Sequence, residues 1–161
     1  MYMEPPQAAA LLAWAARAFA TAAVVVYDPT RPDDAFGKQM LLNLAARGCP
    51  LRGIGGAPDP EGAAARLRAA GWRLAAAADM HEVHRRFLAP AERAAAERRE
   101  PLDELEEWVL IQRHYALALG INGDAVRHGC ALWFRRHCMR AHARLPRRGC
   151  WARCRWSPPL R

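Results

Sequence analysis

The stretch Thr21-Ala22-Ala23-Val24-Val25-Val26-Tyr27, closed by Asp28-Pro29, decides the fold class. It is short, β-branched and apolar at both odd and even positions, the pattern of a strand covered on both faces. Such strands lie centrally in parallel sheets, so the run predicts an α/β fold. Upstream, Pro5 and Pro6 suit the first turn of a helix. Leu11, Leu12, Ala15 and Phe19 then recur at helical spacing, with Trp14 beside them. Downstream, Asp28–Asp34 is turn-rich, and a second helix is expected over Ala35–Arg47, ended by Gly48 and Pro50, with Phe36, Met40, Leu41 and Leu44 inward.

The rest of the chain repeats this alternation. Residues 48–58 read as a Gly/Pro loop, Asp59–Ala70 as an alanine-rich helix stopped by Gly71, and Trp72–Ala78 as a strand. Two helices separated by Pro90 follow, Met80–Leu88 and Ala91–Arg99. A third is expected from Pro101 to about Gln112, and Tyr115, Leu117 and Ile121 mark a last strand. The order predicts an open parallel sheet with flanking helices.

Charge divides the chain in two. Of 161 residues with net charge +8, positions 1–122 hold 14 basic and 15 acidic side chains, and positions 123–161 hold 10 arginines against Asp124 alone. The basic character therefore belongs to residues 123–161, read as an irregular Arg/Cys/Trp-rich tail, and not to the body. Residues 8–26 are almost uncharged, but Arg17 lies mid-segment, where insertion costs about 2.5–3.5 kcal/mol. No membrane span or signal sequence is expected, and an odd cysteine count points to a reducing, cytoplasmic setting.

Chemical motifs are few. Gly53-Ile54-Gly55-Gly56 lies between helices, where a phosphate loop would have to join a strand to a helix. The single serine, Ser157, excludes a Ser-His-Asp site in the body, and Cys49, between Gly48 and Pro50, reads as a buried structural thiol. Asp103, Glu104, Glu106 and Glu107 suit a helix first turn, and His81 and His84 read as surface residues with no metal set completed. In the tail, Cys130, Cys138, Cys150 and Cys154 with nearby histidines lack zinc-knuckle spacing. The arginines interleaved with Trp133, Trp151 and Trp156 form the strongest rival reading, a nucleic-acid-binding module, which is taken as the weaker one.

A family resemblance rests on ordered phrases: Tyr2-Met3, Leu11-Leu12-x-Trp14-Ala15, Asp34-x-Phe36-Gly37-x-x-Met40, Arg47-Gly48-Cys49-x-Leu51-x-Gly53. It continues in Arg66-Leu67, Gly71-Trp72, Ala78-Asp79-Met80-x-Glu82-Val83, Leu102-Asp103-Glu104-x-Glu106 and Arg113-His114-Tyr115. Residues 1–122 thereby resemble the C-terminal half of the leucine carboxyl methyltransferase family. The resemblance implies a class I, Rossmann-like, S-adenosylmethionine-dependent methyltransferase fold. It implies as partner and substrate the C-terminal tail of the protein phosphatase 2A catalytic subunit, methylated on its terminal leucine carboxylate. A sibling methyltransferase acting on a modified transfer-RNA base is implied as the nearest relative.

By the same resemblance, Tyr2 is expected beside cofactor and carboxylate, and Tyr27 and Asp28 are expected to line the substrate cleft. Asp34, Phe36 and Gly37 are expected to fix the loop and helix after the strand. No catalytic residue is assigned. The family's glycine-rich cofactor loop and ribose-binding acid correspond to positions upstream of Met1, and the family's ending is replaced after Asn122. The chain is therefore expected to be a truncated or altered form, inactive by itself, with docking to the phosphatase as a non-catalytic alternative.

Overall fold

The computed structural model describes residues 1–100 and 103–123. The tail readings, including the cysteine–histidine set and the Arg/Trp pattern, lie outside the described residues from position 124 onward, as does the expected helix start at Pro101. Helix α1 (Pro5–Ala18) opens with its two prolines in the first turn, where the missing N–H groups cost nothing. Strand β1 (Ala22–Pro29) follows, then α2 (Ala35–Ala46), a 3-10 turn (Ile54–Gly56) and α3 (Pro60–Ala69). Strand β2 (Leu74–Asp79), helices α4 (Met80–Phe87), α5 (Pro90–Arg99) and α6 (Leu105–Arg113), and strand β3 (Tyr115–Asn122) complete the order.

The molecule is α/β, but its sheet is not the parallel one expected. Strand β3 lies between β1 and β2 and runs antiparallel to both. The valine strand is thus at the edge of the described sheet, and its burial alternates, with Val25 and Tyr27 exposed. The centre belongs to β3 because its residues alternate small and large. Ala116, Ala118 and Gly120 line one face, and there Gly120 lets the Trp72 ring approach so closely that a Cβ would stand 2.9 Å from it.

That face carries the core: Leu67, Ala63 and Ala70 of α3 and its end pack with Ala57, Trp72 and Ala118. Helix α1 contributes Leu12, Ala13, Ala15 and Ala16 from the side. Burial of Leu67, fully excluded from solvent, is worth about 1.5–3 kcal/mol. The strand expected over Trp72–Ala78 begins instead at Leu74. Gly71, at φ 94, turns the chain so that Trp72 drops into the core and donates its indole N–H to the Leu12 carbonyl at 3.2 Å. Asn122 ties three elements together: its amide donates to the carbonyls of Ala16 and Gly71, and its oxygen accepts from the Arg73 N–H at 2.7 Å.

Three further expectations change. Cys49 is exposed and not the buried thiol expected between Gly48 and Pro50. The last helix begins at Leu105, with Asp103 and Glu104 outside it, because Glu104 has a non-helical ψ of 60. His81 and His84 are not free surface residues: both rings pack edge-on to Trp108 of α6, with centroids 6.4 and 4.9 Å away. Among the described residues no helix is long and apolar enough to cross a membrane.

Candidate functional site

The residues singled out from sequence gather at one end of the sheet, where β1 and β2 finish and β3 begins. Asp28 and Tyr27 are neighbours in β1 and so point to opposite faces. Asp28 turns toward α3, where its Oδ2 accepts from Arg66 Nη2 at 2.8 Å, and its Oδ1 lies 3.5 Å from the Met1 amino group. Both oxygens are therefore engaged. Arg66 is itself largely buried, and its Nε has no hydrogen-bond partner among the described residues. It borders a mainly apolar cavity of about 470 Å³ shared with Met1, Met3, Ala9, Ala13 and Gly56.

Tyr27 lies on the other face, stacked on Tyr115 at 5.3 Å and 10°. Burial first, and the facing Tyr115 second, push its phenol above the usual value, so it remains a hydrogen-bond donor well into the alkaline range. Tyr2 has an exposed ring. Its backbone is fixed from both sides, since the Met1 carbonyl accepts from Gly53 N–H at 2.8 Å and a Cβ on Gly53 would stand 3.0 Å from the Met3 carbonyl. The Gly53–Gly56 turn thus braces the Met1–Met3 segment. The Met1 amino group, next to Tyr2 in the chain, lies on Asp28, whereas Tyr27 stacks on Tyr115.

The loop after β1 is built as expected, with one addition. Asp34 caps α2 by accepting from Gly37 N–H at 2.8 Å, and a Cβ on Gly37 would collide with the Arg31 carbonyl. Phe36 packs on the His114 ring at 4.3 Å. The sequence reading missed that His114, buried at the start of β3, also bonds Asp34 at 2.8 Å. The signal was present, because the phrases around Asp34 and around His114 both carry the family resemblance.

A second group was missed altogether. Arg31, after β1, and Arg113, at the end of α6, line a recess of about 440 Å³ with Asp79 at the end of β2 and with His81, Glu82, Arg85 and Arg86 of α4. Arg31 holds a left-handed backbone at φ 56 and bonds the Pro58 carbonyl through its N–H at 2.7 Å. Burial, followed by the Arg113 charge, pushes the His81 imidazole below its usual value. Among the described residues no cluster of three or more His, Cys, Asp or Glu could hold a metal ion.

No family model matches the chain. It is 44% identical over 127 residues to tRNA wybutosine-synthesizing protein 4 of Homo sapiens, covering 79% of this chain and 18% of that protein. It is 40% identical over 123 residues to leucine carboxyl methyltransferase 1 of Rattus norvegicus, covering 76% and 37%. It is 38% identical over 130 residues to a leucine carboxyl methyltransferase 1 homolog of Arabidopsis thaliana, covering 77% and 39%. The chain thus spans well under half the length of these relatives. Over about three-quarters of its own length it belongs with the leucine carboxyl methyltransferases and their wybutosine-synthesizing relatives, of which it covers a part.

Proposed function

We propose that this chain is part of a class I S-adenosylmethionine-dependent O-methyltransferase whose acceptor is a carboxylate, the terminal leucine carboxylate of the protein phosphatase 2A catalytic subunit, in the cytoplasm. The observation that carries the reading is the 38–40% identity to proteins named leucine carboxyl methyltransferase 1. A carboxylate is ionised at neutral pH and needs no general base. Its site must grip the oxygens, align one of them and exclude water. Tyr27, kept protonated near the end of β1, is a donor suited to that grip, and the exposed Tyr2 is the alternative donor beside the opposite face.

Bound S-adenosylmethionine would supply the electrophilic methyl group. The described residues do not fit it alone. Its ribose diol wants a free strand-end carboxylate, and both strand-end acids are spent: Asp28 on Arg66 and Met1, Asp79 on the Glu82 N–H and Arg31. The cofactor contacts are therefore assigned to residues that the relatives have beyond the matched stretch, and the chain by itself is expected to be inactive.

A second reading, methylation of a carboxyl on a modified transfer-RNA base, is favoured by one observation. The relatives named tRNA wybutosine-synthesizing protein 4 reach 44% and 42% identity, above the 40% of the rat leucine carboxyl methyltransferase. Residues 1–122, exchanged for the matching stretch of the rat enzyme and separately of the human wybutosine protein, test both. Base-labile methyl ester on the phosphatase supports the first reading, and methyl ester on hypomodified transfer RNA with none on the phosphatase supports the second. Folded chimeras that bind the cofactor but methylate neither substrate overturn both.

A further inference from the structure

The recess between the β1 loop, α4 and the end of α6 carries more positive charge than its acids neutralise. Four arginines, Arg31, Arg85, Arg86 and Arg113, line it with Asp79, Glu82 and His81. Arg31 pairs with Asp79 at 3.6 Å, and Arg86 pairs with Glu82 one helical turn away. The second oxygen of Asp79 caps α4 through the Glu82 N–H at 2.7 Å, so it is also taken. Arg85 and Arg113 have no acidic partner among the described residues. Two guanidinium groups on the walls of one recess repel each other, and their field reaches His81, where both disfavour the imidazolium.

We infer that this recess binds a backbone phosphate of an RNA strand, with Arg85 and Arg113 as the principal contacts. The inference rests on the transfer-RNA reading above and extends it to a second contact. Guanidinium groups match the oxygens of a phosphate with parallel N–H donors, and a recess of about 440 Å³ has room for a phosphate with its sugar. RNA is favoured over an acidic peptide by the neighbouring aromatic surface. Tyr115 lies two residues beyond Arg113, and the exposed Tyr27 ring stacked on it offers a flat face to a base at the same sheet end.

The test is fluorescence anisotropy of a labelled single-stranded RNA with the full chain across a salt series. The arginines of residues 123–161 contribute a background common to every variant, so the comparison is between substitutions. The double variant Arg85→Gln, Arg113→Gln is expected to bind roughly tenfold more weakly at moderate salt and to flatten the log–log salt slope by about one. Arg52→Gln with Arg68→Gln, which removes two exposed arginines paired with Glu4 and Glu61, is expected to leave both unchanged. Equal loss in the two double variants overturns the inference, as does no loss in either. Displacement of the RNA from wild type by an acidic peptide or by inorganic phosphate at equal concentration also overturns it. RNA binding that depends on Arg85 and Arg113, without methyl transfer to transfer RNA by the chimera, keeps the phosphate site and removes the methylation reading. Methyl transfer that survives the double variant unchanged, with RNA affinity intact, does the reverse.

Discussion

The Nε2 of His114 lies 2.8 Å from an Asp34 carboxylate oxygen, a contact that spans eighty residues of chain. The other ring nitrogen, Nδ1, lies 2.7 Å from the Leu110 carbonyl. A carbonyl and a carboxylate are both acceptors, so a ring nitrogen that bears a proton donates to the partner beside it. Asp34 meanwhile caps α2, which makes one carboxylate the joint between the loop after β1, the helix that follows and the start of β3.

Removing that joint has a calculable cost. Asp34→Ala loses a helix cap, about 1 kcal/mol, and strands a buried imidazole nitrogen, a further 1–3 kcal/mol or so. A loss of about 2–4 kcal/mol in urea unfolding is expected, with Asp34→Asn less harmful because its amide oxygen still caps. The Gly37 N–H, helped by His114, holds the Asp34 carboxyl below its usual value. A depressed carboxyl stabilises the fold above its unfolded value of about 3.9 and loses that contribution as pH falls through the folded value. The acid limb of the stability curve should therefore shift upward in pH for Asp34→Asn. Coincident acid limbs for wild type and Asp34→Asn would show that the contact contributes nothing.

Gly37 and Gly55 make a contrasting pair. A Cβ at Gly37 would run into the Arg31 carbonyl, whereas one at Gly55 meets nothing within 4 Å. Gly37→Ala should destabilise by about 2 kcal/mol or more, since the loop backbone must move. Gly55→Ala should stay within about 0.5 kcal/mol of wild type. Thermal denaturation of both variants checks this, and equal melting temperatures would contradict the packing of the Arg31 loop.

Local signals were legible in the sequence and the pairing of strands was not. Pro5-Pro6, Gly71 and the Asp34-x-Phe36-Gly37 phrase each state a backbone requirement within a few residues, and each element formed near where they place it. The valine run, by contrast, reports apolarity and not neighbours. Val24 and Val26 face the core while Val25 faces outward, and nothing in the run itself says that, among the described residues, β3 alone lies beside it. Strand direction depends on contacts such as Trp72 on Gly120 that join distant positions. For the same reason Asp28 was visible as a strand-end acid, but its capture by Arg66 was not, and the recess around Arg85 and Arg113 draws on three separate elements.

Tyr27 offers a spectroscopic reading of its stack. Burial and then Tyr115 raise its phenol. A raised acid group favours the neutral folded form, so its contribution is present below the unfolded value of about 10 and is lost as pH climbs through that value toward the folded one. Absorbance titration at alkaline pH, taken as the difference between wild type and Tyr27→Phe, should place this phenol above ordinary tyrosine. Tyr115→Phe should move it back part of the way. An ordinary midpoint in wild type would mean that the two rings do not stack in solution.

The outer edge of β1 bears on association. Among the described residues β1 pairs with β3 alone, and its outward face shows Val25 at 61% and Tyr27 at 56% exposure. An uncharged, β-branched edge of this kind is a template for another strand, and the usual protection by lysine, proline or a bulge is missing from Ala22 to Val26. The chain is therefore expected to self-associate, with a sedimentation mass that rises with concentration. Val25→Lys places a charge where the side chain already meets solvent, so it should leave the melting temperature nearly unchanged while shifting the distribution toward monomer. A wild-type chain that stays monomeric at every concentration would mean that this edge is covered in solution. Association that persists in Val25→Lys would assign it to another surface, such as the exposed Leu11 and Trp14 of α1.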